Sequence, residues 1–117
     1  MRDAGEVEGA EAVGISDAFC GFKAHRVSAL RRMDLTIPGY AFPMQFWAQA
    51  ASLNLVIREM PVKLIYKDAT RHFGGMLDDP TARLTHYLEV LTREIRRLRE
   101  RVEAAVAVCG EAACRCE

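Results

Sequence analysis

The sequence predicts an α/β fold, with short strands and one long C-terminal helix. Three observations predict it. Apolar and polar residues alternate at residues 22–25 and again over residues 55–66, the period of a half-buried strand. Between them, residues 42–53 are apolar nearly all round, which marks a buried helix. After Asp79-Pro80, the apolar positions Leu84, Leu88, Leu91, Ile95, Leu98 and Val102 step by four, three, four, three and four, a heptad-like seam.

A chain of 117 residues allows one small domain with a modest core. Hydrophobic residues are 50% and charged ones 27%, a globular composition and not a disordered one. Sixteen basic residues balance sixteen acidic ones, which argues against a general nucleic-acid binder. The longest apolar stretch, residues 41–57, is broken by Pro43, Gln45, Gln49, Ser52 and Asn54, so no membrane span is expected. The first residues are acidic and lack the apolar run of a secretory signal. The expected location is therefore cytoplasmic, with Cys20, Cys109, Cys114 and Cys116 as reduced thiols.

The elements follow in order. Residues 1–14 carry Asp3, Glu6, Glu8 and Glu11 against Arg2 and read as an acidic flexible leader. Residues 17–24 suit a short strand, with Gly21 at a bulge. A short helix over residues 26–33 would use Val27, Leu30 and Met33. Ile37-Pro38-Gly39-Tyr40 is a type II turn signal. In the helix of residues 42–53, Gln45, Gln49 and Ser52 form one polar stripe, and Asn54 tolerates the left-handed conformation that ends a helix. The strand at residues 55–66 places Val56, Met60, Val62, Leu64 and Tyr66 on one face. Pro61 makes it an edge strand or a bulged one. A loop spans residues 67–79. Asp79 is the N-cap and Pro80 the first residue of a helix that runs to about residue 108. Its other face is rich in arginine, laced by the pairs Glu89–Arg93 and Arg96–Glu100. Residues 109–117 are a Cys-containing tail. Three thiols without a fourth close ligand fall short of a structural zinc site.

Two groups of residues suggest chemistry. Lys67, Arg71 and His72 offer cationic or hydrogen-bonding groups, and Gly74-Gly75 lets backbone N–H groups approach an anion. The plain alternative is a solvated loop between elements. Gln45 and Gln49 can both donate to and accept from sugar hydroxyls. The alternative is a thin solvent-facing edge on a core helix. Asp17 and Asp79 read as turn and cap residues. The arginine-rich face could touch an anionic membrane surface peripherally, although interleaved glutamates weaken that attraction. The apolar seam could form a dimer or pack on a sheet or a partner.

Four motifs occur in a telling order: Asp17-x-x-Cys20-Gly21-Phe22-Lys23-Ala24-x-Arg26, Gly39-Tyr40-Ala41-Phe42-Pro43-x-Gln45, Ile57-x-Glu59-x-Pro61-Val62 and Arg71-x-Phe73-Gly74. In this order and spacing, residues 15–94 resemble the C-terminal part of family-two glycosyltransferases, in the dolichol-phosphate mannose synthase-like branch. The resemblance implies an incomplete C-terminal portion of a nucleotide-sugar glycosyltransferase α/β sandwich over residues 15–108. It implies a parent activity that moves a sugar from a nucleotide-sugar to a polyprenyl-phosphate or similar acceptor. Gln45 and Gln49 would then belong to the acceptor-side wall. Lys67, Arg71, His72 and Gly74 would form the loop over the phosphates. The Asp-x-Asp motif that holds the family's divalent metal does not occur in these 117 residues, nor does a counterpart of the nucleotide-binding N-terminal half. No cofactor is expected in this chain itself; Mg or Mn would come with that half. At Gln45 the family often carries an acid, and an amide cannot serve as a base. The expectation is a segment inactive alone. Its partner would be the N-terminal half or another protein that covers an exposed helix at residues 42–53. The alternative is a non-catalytic docking module that uses a sheet edge and the C-terminal helix.

Overall fold

The computed structural model describes residues 14–65, 67–68 and 70–114. Among the described residues there are three α-helices: α1 (Val27–Leu30), α2 (Phe42–Ser52) and α3 (Pro80–Cys114). Single 3₁₀ turns at Gly39–Ala41 and Gly75–Asp78 lead into α2 and α3.

Helix α2 is the centre of the molecule. On one side Ala41, Met44 and Ala48 pack on Tyr87, Val90 and Leu91 of α3, with Ile37 and Leu98 at the margin. On the other side Phe46, Trp47 and Ala50 are covered by the loops before and after it, through Ile15, Ala18, Leu30, Met33, Leu35, Leu55 and Ile57. Burial on both sides is what its nearly all-round apolar lettering demands. Gly39 has φ of 75°, as the turn signal requires. Asn54 adopts φ of 50° and stops α2. The Leu55 N–H reaches the Ala50 carbonyl and the Asn54 N–H reaches the Ala51 carbonyl, both at 3.0 Å. This paired closure satisfies two of the last carbonyls of the helix. Helix α3 starts as its sequence dictates. The Asp79 Oδ2 accepts the Ala82 N–H at 2.7 Å, and Pro80 occupies the first turn.

Several expectations are overturned. No β-strand forms among the described residues, so the portion of an α/β sandwich gives way to a helical fold. A strand is stable only where a neighbour takes its backbone N–H and C=O groups. Residues 55–65 run with no strand beside them, and Val56, Met60, Val62, Leu64 and Ile65 lie exposed. At residues 17–24 the Asp17 carboxylate accepts the N–H groups of Phe19 and Cys20, both at 3.0 Å, and bends the chain into a turn. The short helix shrinks to Val27–Leu30 and buries none of its residues. The last helix continues past residue 108 to Cys114. Its seam divides: Leu91 and Leu98 turn toward α2, while Leu84, Leu88, Ile95 and Val102 stay outside that contact. The helix at residues 42–53 is not an exposed core face, because its own chain covers it. Residues 1–13 of the leader, Tyr66 of the strand and residues 115–117 of the tail lie outside the described residues. None of the described helices is long and apolar enough to cross a membrane.

Candidate functional site

The polar stripe of α2 is the best-organised polar feature. Gln45 and Gln49 lie one turn apart and both are buried, at 1% and 3% exposure, not on a solvent-facing edge. Ser52 alone faces out. The Gln45 Oε1 accepts the N–H groups of Thr36 at 2.7 Å and Ile37 at 2.9 Å. The Gln49 Oε1 accepts the Asp34 N–H at 2.8 Å, and its Nε2 donates to the Asp34 carbonyl at 2.7 Å. Both amides then donate to Glu94 of α3, from Gln49 at 2.8 Å and from Gln45 at 3.2 Å. Arg97 closes the network with Nη2 at 2.7 Å from Glu94 and Nη1 at 2.6 Å from Asp34. Every polar atom of the two amides is thus engaged inside the fold, which leaves them a bracing role among residues 34–37, α2 and α3.

The charges fit this arrangement. Burial raises the pKa of Glu94, but the hydrogen bonds from Arg97, Gln49 and Gln45 outweigh it and hold the carboxyl below its ordinary value. The Arg97 hydrogen bond and charge lower Asp34 as well. Arg97 itself is raised, chiefly by its hydrogen bond to Glu94. Neither Glu94 nor Arg97 stood out in the sequence as more than part of a charged helix face. The available signal was position: Glu94 falls three and four residues from Leu91 and Val90, and four from Leu98, on the face that must be buried.

The sequence motifs meet in pairs, the first with the third and the second with the fourth. Glu59 of the third motif accepts the Ser16 N–H at 2.9 Å, the Ser16 hydroxyl at 3.0 Å and the Asp17 N–H at 3.3 Å. The backbone N–H of Ser16 is the main cause that lowers the Glu59 carboxyl. Trp47 of α2 donates its indole N–H to the Ala18 carbonyl at 2.7 Å. Tyr40 of the second motif meets Phe73 of the fourth edge-on, with ring centres 5.0 Å apart. The Arg83 guanidinium lies 4.2 Å from the centre of the Phe73 ring and donates to the Leu77 carbonyl at 2.9 Å. Arg83 therefore holds the fourth motif against the start of α3.

The loop of Lys67, Arg71, His72 and Gly74 is exposed throughout. Gly74 and Gly75 adopt φ of 93° and 59°, and an added Cβ at either would meet open space. Two successive positive φ values, which glycine adopts without strain, turn the backbone there. An anionic group already uses it: the Asp78 Oδ1 accepts the Gly74 N–H at 3.0 Å. Asp68 accepts both the N–H and the hydroxyl of Thr70, and the hydroxyl bond is the main cause that lowers its carboxyl. The loop and the Gln45–Gln49 pair are separate places in the fold. The loop sits at the head of α3, and the amides sit under α2. Beside the loop an open groove is lined by Met76, Leu77, Thr81, Thr85, His86 and Glu89.

Among the described residues no three His, Cys, Asp or Glu side chains converge to hold a metal ion. Comparison with family models, curated proteins and solved structures found no match.

Proposed function

We propose that this chain is a glycosyltransferase-like segment that supplies the acceptor side and the phosphate loop of a sugar-transfer site. A second polypeptide region would bring the nucleotide-sugar pocket and the divalent metal, so the chain transfers no sugar by itself. The observation that carries the reading is the pairing of the motifs, the first with the third and the second with the fourth. Glu59 clasps Ser16 and Asp17, Trp47 holds Ala18, and Tyr40 and Arg83 hold Phe73. The loop they position carries Lys67, Arg71 and His72 around a glycine pair. That is suitable chemistry for a phosphate or diphosphate, because arginine grips phosphate with two parallel hydrogen bonds. Gln45 and Gln49 support the wall from inside and do not touch the substrate.

The test is calorimetric titration of the whole chain with farnesyl phosphate, a short polyprenyl phosphate, and with nucleoside diphosphates. Saturable binding is expected, weakened roughly fivefold in Arg71→Ala, about 1 kcal/mol. Incubation with nucleotide-sugars and farnesyl phosphate is expected to yield no product. Sugar transfer by the chain alone would overturn the segment reading, and absence of binding to every phosphate would remove the transferase reading.

A second reading, a non-catalytic docking module, is favoured by one observation. Residues 56–65 present a run of exposed apolar side chains on backbone that no strand pairs. Exposed apolar surface of this extent marks an interaction site. Failure of phosphate binding would leave this reading standing.

A further inference from the structure

We propose that α3 pairs with α3 of a second copy of this chain, antiparallel, about a twofold axis through Ile95. The inference does not rest on the transferase reading.

Leu84, Leu88, Ile95, Val102 and Val106 are all exposed large hydrophobics of one helix. At 3.6 residues per turn they fall within an arc of about 40°. They form a narrow stripe centred roughly 80° round the helix from the residues that pack on α2, Tyr87, Val90, Leu91 and Leu98, with Leu91 at the border between the two. One helix thus carries two apolar faces, and α2 covers only one. The border of the free stripe on the side away from α2 carries the exposed Thr85 and Thr92 and also the exposed Arg99 and Glu103, whose long side chains can lie along the edge with their charges in water.

The spacing identifies the occupant. The intervals along the stripe are four, seven, seven and four residues, which read the same in both directions. A twofold axis at Ile95 therefore sets Leu84 against the partner's Val106, Leu88 against the partner's Val102, and Ile95 against the partner's Ile95. A twofold interface must be self-complementary in this way. The stripe is about 33 Å long. Two helices paired along it bury on the order of 1,200 Å², which reaches the range of specific interfaces. The C-terminal half of the stripe lies beyond the part of α3 that α2 covers, so a second helix can approach it without displacing the core.

Sedimentation equilibrium of the whole chain tests this, up to about 200 µM. A dimer is expected. Val106→Glu lies outside the packed body and cannot unfold it, and it is expected to weaken the dimer at least tenfold with helix content unchanged by circular dichroism. Ile95→Glu, at the axis, should do the same. With the native cysteines replaced by serine, Leu88→Cys mixed with Val102→Cys should form the mixed disulfide, while Leu88→Cys alone should not link to itself. A monomer at the highest concentration would overturn the proposal. So would a dimer indifferent to Val106→Glu, or self-linking of Leu88→Cys, which signals parallel pairing.

Discussion

Glu94 is a buried carboxylate that receives hydrogen bonds from Gln45, Gln49 and Arg97. Its removal in Glu94→Ala strands two amide donors and an arginine. The expected cost is about 2–3 kcal/mol, read from the urea midpoint. The pH dependence has a defined sign. Glu94 and Glu59 sit below their ordinary value of 4.5, and Asp34 below 3.8. A lowered carboxyl stabilises the fold fully above its unfolded pKa, and that contribution is lost as pH falls through the folded value. The thermal midpoint should thus be level above about pH 5 and drop below pH 4, and Glu94→Gln should flatten the drop. Asp78 supplies a second prediction. Its carboxylate occupies the Gly74 N–H that an incoming phosphate would use. Asp78→Ala is expected to tighten farnesyl phosphate binding several-fold, measured by calorimetry, and an unchanged or weaker affinity would count against the loop. At this scale the sequence was half legible. The spacing of Gln45 and Gln49 showed that they act together, but not that both point inward. That depended on Glu94, forty-five residues beyond Gln49, whose place across from α2 no local pattern encodes.

At the scale of elements, local signals worked where the partner is close in sequence. Asp79 with Pro80, and Asn54 after an apolar run, act through the backbone of their own helix, so the start of α3 and the end of α2 could be read directly. Asp79→Ala should cost about 1 kcal/mol, again by urea midpoint, because one N–H of the first turn loses its acceptor. Strands were misread for the opposite reason. Residues 55–65 do alternate, and Leu55 and Ile57 reach the core near α2 while Val56 does not. Alternation describes an extended chain, however, and a sheet also needs a neighbour, which the described chain does not offer. The seam of α3 was legible as apolar but not as divided, since the heptad count cannot say which of two adjacent stripes meets α2. Hydrogen exchange should show the consequence. Amides of the first half of α3, backed by α2, are expected to exchange far more slowly than those after Val106, where Gly110 also weakens the helix.

The whole molecule is elongated, 67 Å by 33 Å by 30 Å, because α3 outruns the body it packs on. Its core is two small clusters on either side of one eleven-residue helix. Around that core, surfaces of the described residues open to a ligand or partner include the glycine loop at the head of α3, the apolar extended run of residues 56–65, and the free stripe of α3. The motif contacts connect the first of these to the rest, since Tyr40 and Arg83 hold Phe73 beside the loop. Phosphate binding at this loop is read by amide chemical-shift mapping of the ¹⁵N-labelled chain with farnesyl phosphate. Saturable shifts concentrated at Arg71, His72, Phe73, Gly74 and Gly75, lost in Arg71→Ala, are expected. Shifts confined to the apolar residues 56–65 or the α3 stripe, with the loop unmoved, would show that the lipid tail alone is bound and would contradict phosphate binding at the loop.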